Sequence, residues 1–219
     1  MMKTEIILIR HGQANSGAKD EESYDRLSDI GHQQATWLGD YLRYHGEEFD
    51  RVICGSLRRH RETAADLELP NQVTIDPRTN EMQYFDLANE FHTQTKTPAP
   101  NSAEEFAQHL PHLLTAWQSG TLDSAHVSYG NFAQRFKDVM SELTELGGRS
   151  LVVTSGGVIG MAIAQHLALG PEGFARVMLP IHNSSMHRFD VRGGTTHMAG
   201  YNATPHLDGA ARRHARTII

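Results

Sequence analysis

Ile6-Ile7-Leu8-Ile9-Arg10-His11-Gly12 is the stretch from which the fold is read. Four consecutive apolar residues, three of them β-branched, describe a short strand buried on both faces. A cation, an imidazole and a glycine then end the run abruptly. Ser150-Leu151-Val152-Val153-Thr154 repeats the pattern and stops at Ser155-Gly156-Gly157. Arg51-Val52-Ile53-Cys54, ended by Gly55-Ser56, and Val73-Thr74-Ile75, ended by Asp76-Pro77, read as two further strands. Helical spacing lies between them. Ala35, Leu38, Tyr41 and Leu42 mark a helix over 31–44 with Ser28 as a cap, and 57–67 forms another, closed by Pro70. This βαβαβ alternation predicts an α/β fold with a mostly parallel central sheet covered by helices.

The polar segment 13–29 reads as a loop, and strand patterning is absent from about 82 to 148. Helices are expected at 104–119 and 131–146, with a loop at Lys96-Thr97-Pro98-Ala99-Pro100 before them. Because strand–helix alternation resumes with 150–154 and a helix over 158–169, the stretch 87–147 reads as a helical insertion in one domain spanning 1–219. Gly170-Pro171 ends that helix, and 185–191 and 195–201 form a closing hairpin around Arg192-Gly193-Gly194.

Composition excludes several functions. With 39% hydrophobic residues the 219-residue chain can bury a sizeable core. A net charge of −6 argues against nucleic acid as a partner. The single cysteine, Cys54, leaves no internal disulfide and no paired-cysteine zinc site. No apolar run is long enough to cross a membrane, and the first one is too short for a signal peptide, so a cytoplasmic protein is expected. The basic tail 212–216 reads as a solvated terminus.

Histidine is over-represented, at 14 residues, which raises the question of metal binding or proton transfer. His109 and His112 are spaced i,i+3 but lack a third ligand at a matching offset, so they read as a solvated helix face. His32, His45, His92, His126, His166, His187, His197 and His214 have no partner pattern, and His206 reads as structural or at a pocket edge. No metal and no cofactor are expected.

In open α/β sheets, ligands collect beyond the C-terminal ends of the strands. Those ends carry Arg10-His11-Gly12, then Gly55-Ser56 followed by Arg58 and Arg59, and Ser155-Gly156-Gly157 at a helix start. Two cationic positions beside a glycine-rich helix N-terminus describe a phosphate or oxyanion site.

Here the sequence resembles the histidine phosphatase superfamily, the phosphoglycerate-mutase-like fold. Ile7-Leu8-Ile9-Arg10-His11-Gly12-Gln13 looks like its signature, and Leu27-Ser28-Asp29-Ile30-Gly31-His32-Gln33-Gln34-Ala35 is similar to L-T-x-x-G-x-x-Q-A. Ser56-Leu57-Arg58-Arg59-His60-Arg61-Glu62-Thr63-Ala64 resembles S-x-L-x-R-A-x-x-T-A, shifted to Gly-Ser-Leu. Val152-Val153-Thr154-Ser155-Gly156-Gly157-Val158-Ile159 aligns with V-V-S-H-G-G-V-I. The segment 87–147 carries no family motif.

The resemblance implies a three-layer α/β/α sandwich and a phosphomonoester phosphatase that forms a phosphohistidine on His11 and releases inorganic phosphate. It makes Arg10 and Arg59 the clamp on the phosphoryl oxygens, Glu81 the proton donor to the leaving oxygen, and Gly156 part of the anion-binding helix start. Asn15 lies near a phosphate-binding position at a different offset. One departure stands out: the second pocket histidine of the pattern is Ser155 here, whose hydroxyl can still donate one hydrogen bond to phosphate but brings no positive charge. His182 is the first candidate to replace it and His60 the second. The departure keeps two other expectations open, slow turnover or a non-catalytic phosphate-binding protein. Phosphoglycerate mutase ranks last, because Gln13-Ala14 follows the Arg-His-Gly. The substrate and oligomeric state are not legible.

Overall fold

The computed structural model describes residues 4–15, 17–18, 20–122 and 127–218. Its centre is a six-stranded sheet in the order β3-β2-β4-β1-β5-β6. β4 (Arg149–Thr154) pairs in parallel with β1 (Thr4–Arg10) and with β2 (Arg51–Cys54), and β3 (Val73–Ile75) extends the parallel part beside β2. β5 (Met186–Arg192) is antiparallel to β1, and β6 (Thr195–Ala203) returns antiparallel to β5. The sheet is therefore mostly parallel, with the expected hairpin closing one edge.

Alternation along the strands builds the layers. Ile7, Ile9, Val52, Leu151 and Val153 pack with Leu38 and Leu42 of α2 (Asp29–Tyr44) and Ala64 of α3 (Arg58–Asp66). Ile6, Leu8, Ile53 and Val152 face the other way. They pack with α5 (Ala103–Gln118), α6 (Tyr129–Leu146) and α7 (Gly156–His166) through Leu110, Phe136 and Ile159. Successive side chains of a strand point to opposite faces, so each central strand supplies both cores.

Three helices lie outside the sequence expectation. α1 (Glu21–Tyr24) interrupts the polar loop and is capped by Asp20, whose carboxylate accepts from the Ser23 amide at 2.7 Å. α4 (Tyr84–Thr95) buries Leu87, Ala88 and Phe91 on one face. α8 (Pro171–Met178) begins at the proline that reads as a terminator. Proline suits the first helical turn as well as it ends the preceding helix, so one residue does both. His109 is also corrected: it is buried, with its ring 5.2 Å from that of Phe91, while His112 is exposed. The aromatic packing around α5 outweighs the polarity of a neutral imidazole. His126 lies outside the described residues.

Register brings the strand ends together. Arg10 pairs with Thr154 and Cys54 with Val153, so His11, Gly55 and Ser155 all emerge at one edge. α2 closes on that edge directly. A Cβ at Gly12 would stand 2.3 Å from the Gly31 carbonyl oxygen, so only glycine allows the approach.

Candidate active site

His11 follows β1 and is held by main chain on both sides: its amide donates to Thr154 O at 2.9 Å, and its carbonyl accepts from the Ser184 amide at 3.2 Å. Its Nδ1 lies 2.7 Å from the Gly12 carbonyl. A carbonyl only accepts, so Nδ1 carries the proton and Nε2 keeps its lone pair. Burial, with the Arg59 and Arg10 charges beside it, holds the imidazole well below its usual pKa. The ring is thus neutral, with a defined tautomer and a free lone pair on Nε2.

Arg10 and Arg59 are both buried, and both line the cavity into which His11 opens. Burial lowers the Arg10 pKa, opposed by the Tyr24 hydroxyl and the Glu81 charge. One Arg10 amino group donates to the Ile181 carbonyl. Arg59 pairs with Asp25 at 3.0 Å and stacks over the Tyr24 ring at 5.0 Å. The Nε–H of each guanidinium has no protein acceptor among the described residues. Buried donors rarely go unpaired, and two such donors beside a neutral imidazole describe a place for an anion. Arg58 points elsewhere: it is exposed and pairs with Glu62 at 2.5 Å.

Asp25 and Tyr24 were not singled out by the sequence. Leu57, the N-cap of α3, offers no side-chain cap; the Asp25 carboxylate takes its place, accepting from the amides of Arg58 at 2.9 Å and Arg59 at 3.1 Å. One carboxylate thereby fixes both the helix start and the Arg59 guanidinium. It lies 34 positions from Arg59, in a loop with no periodic pattern, so no local signal marks it.

Glu81 lines the same cavity, and its Oε2 accepts from the Gly157 amide at the start of α7 at 2.9 Å. Arg135 donates to the carbonyls of Asn80 and Glu81, fixing that segment. Gly156 lines the cavity close to the Arg10 side chain. Asn15 does not reach the cavity; its amide donates to the Ser23 carbonyl at 2.9 Å and shapes the loop around α1.

The imidazole beside His11 belongs to His60, with ring centroids 5.7 Å apart. His60 Nε2 lies 2.6 Å from Ser155 Oγ, and neither residue is exposed. His182 does not line the cavity. Its carbonyl closes a turn by accepting from Ser185, and the preceding Ile181 carbonyl is what meets Arg10. Burial and the Arg59 charge hold His60 well below its usual pKa.

The cavity has a volume of about 680 Å³ and becomes apolar away from the arginines, where Met82, Tyr84, Phe85, Phe106, Met178 and Leu179 line it. Glu21 is the further charged group there, and burial raises its pKa. Among the described residues, no group of three or more His, Cys, Asp or Glu side chains is placed to hold a metal ion. None of the described helices is long and apolar enough to cross a membrane.

The family model of the histidine phosphatase superfamily (branch 1) matches residues 6–204. An adenosylcobalamin/alpha-ribazole phosphatase of Salmonella typhi is 29% identical over 170 residues, covering 74% of this chain and 79% of that protein. A broad-specificity phosphatase of Saccharomyces cerevisiae is 38% identical over 63 residues, which span 27% of each protein. Among solved structures, a phosphoserine phosphatase mutant from Entamoeba histolytica in complex with phosphoserine superposes with a TM-score of 0.70 at 21% identity, covering 93% of this chain and 99% of that one. The alpha-ribazole phosphatase from Shigella flexneri gives a TM-score of 0.68 at 20% identity, covering 91% and 96%. At these identities the two structures establish the fold.

Proposed function

The chain belongs to the histidine phosphatase superfamily, and from that membership we propose a metal-independent phosphomonoester phosphatase that works through a phosphohistidine on His11. The observation that carries the proposal is the neutral His11, with Nδ1 committed to Gly12, beside two buried arginine Nε–H groups that have no acceptor among the described residues. His11 Nε2 attacks phosphorus while the ester P–O bond breaks, and Glu81 gives its proton to the departing alkoxide oxygen. Phosphorylation leaves the ring cationic, and the Nδ1–H bond to the Gly12 carbonyl stabilises that charge. Arg10 and Arg59 neutralise the phosphoryl oxygens as charge develops on them. Water then attacks the phosphohistidine, Glu81 takes its proton, the P–N bond breaks, and inorganic phosphate leaves His11 neutral again.

The cavity also indicates the leaving group. Among the described residues that line it, the cations are Arg10 and Arg59 and the acidic groups are Glu21 and Glu81. An uncharged aromatic or aliphatic alcohol fits the lining of Tyr84, Phe85, Phe106 and Met178; a leaving group with its own carboxylate meets like charge. This favours a phosphatase over a phosphoglycerate mutase. The test is p-nitrophenyl phosphate turnover in EDTA by the wild type and His11→Ala. Turnover by the wild type alone is expected; equal rates contradict the phosphohistidine, and no turnover by either leaves a phosphate-binding protein.

A further inference from the structure

Ser155 and His60 stand at two positions where the sequence departs from the family pattern, serine in place of histidine and histidine in place of alanine, and the fold brings the two departures into contact. Nε2 of His60 and Oγ of Ser155 are 2.6 Å apart across 95 positions of sequence. A third departure makes room for them. Gly55 takes the place of serine in the pattern, and a Cβ there would stand 2.1 Å from His60 Nδ1. Alanine at 55 would displace the ring, so glycine, histidine and serine form one arrangement.

The hydrogen-bond inventory orients the pair. His60 Nδ1 is buried with no partner among the described residues. A neutral imidazole carries one N–H, and a buried unpaired acceptor is better tolerated than a buried unpaired donor. The proton therefore sits on Nε2 and is donated to Ser155 Oγ. The hydroxyl proton of Ser155 is then free to point away from His60. Ser155 is the N-cap of α7 but makes no side-chain cap bond; it and His60 are fully buried and do not themselves line the cavity, and the next residue, Gly156, reaches it beside Arg10.

We infer that Ser155 donates its hydroxyl proton to a phosphoryl oxygen held at His11, and that His60 is the positioning residue that fixes the hydroxyl in that orientation. The pair supplies through two side chains the hydrogen bond that a histidine at position 155 would supply alone. This rests on the phosphatase reading for its effect on rate, but not for its effect on anion binding.

Two readouts test it: p-nitrophenyl phosphate kinetics, and calorimetric titration with orthovanadate, which in a five-coordinate adduct mimics the transition state. Losing one transition-state donor costs on the order of 10²–10³ in rate. Ser155→Ala and His60→Ala should each lower kcat and vanadate affinity by about 10²-fold, with KM nearly unchanged. His60→Ala/Ser155→Ala should be no worse than the poorer single variant. His60→Ala/Ser155→His, which places the imidazole directly at the start of α7, should recover most of the loss. Wild-type values for Ser155→Ala, or losses that multiply in the double alanine variant, overturn the pair. A swap variant with wild-type Tm and no recovery does the same. If His11→Ala retains turnover while vanadate affinity still falls in Ser155→Ala, the phosphohistidine fails and the pair stands.

Discussion

Among the described residues a serine hydroxyl meets a buried imidazole at three places, and at one of them the imidazole itself stands beside the His11 ring. His60 meets Ser155 at 2.6 Å beside His11. His206 meets Ser184 at 2.8 Å, and His187 meets Ser185 at 3.0 Å, in the segment that leads into β5. In the His187 pair every proton is assigned. The Asn202 amide donates to Nδ1, so Nε2–H donates to Ser185 Oγ, which donates on to the His182 carbonyl. In the His60 pair, with the proton placed on Nε2 as inferred above, the Ser155 proton has no acceptor among the described residues. His206 Nδ1 is likewise without a partner among the described residues, so what sets the His60 pair apart is its ring 5.7 Å from that of His11.

His11→Ala breaks the comparison at its root. Removing a nucleophile should lower kcat on the order of 10⁴-fold or more, far beyond any serine–histidine pair, measured with p-nitrophenyl phosphate. A smaller loss would place the reacting group elsewhere. Next in size is the response to pH. Burial pushes His187 and His206 down to about 3, with nearby arginine charges contributing. Free histidine titrates near 6.5, so between about 3 and 6.5 the unfolded chain binds more protons than the folded one. Stability should therefore be full above that window and fall as pH drops through it, read from urea unfolding at neutral and acidic pH. The lowered His11 pKa has the same sign for activity, and the acid limb of kcat/KM should fall below the ordinary histidine range. An acid limb above that range would mean the nucleophile is not buried and neutral.

Specificity comes third. Phe106→Ala should raise KM about tenfold for aryl phosphates, from apolar burial lost in the cavity, and barely change that for glycerol phosphate. Equal effects on both would show that the apolar lining does not read the leaving group. The smallest effect on rate belongs to the closed network. Ser185→Ala strands the His187 N–H and should cost about 1–3 kcal/mol of stability while leaving kcat unchanged. A fall in kcat with unchanged stability would erase the distinction between the two kinds of pair.

The part of the site contiguous in sequence was legible. Arg10 and His11 end a strand pattern, Gly156 starts a helix, and parallel pairing brings these ends together. Arg59 was separable from Arg58 by family spacing, and the fold buries the one and exposes the other. Tertiary pairs were less accessible. Asp25 and Tyr24 come from a polar loop without periodicity, while α4 and α8 carry short apolar stripes that neighbouring prolines and glycines obscure. His182 precedes a strand that begins near the site, but it lies outside the cavity, while the His60 ring lies 5.7 Å from that of His11. On the pair proposed above, the signal in the sequence is joint departure from the motif: serine at 155, histidine at 60, and a glycine at 55 that leaves the ring space.

The most direct measurement is rapid quenching of the wild-type protein during turnover of a ³²P-labelled aryl phosphate, followed by mapping of the label. The account predicts acid-labile, alkali-stable phosphate on His11, absent from His11→Ala. Product formed with no protein-bound label on that time scale, or label on another residue, would contradict it.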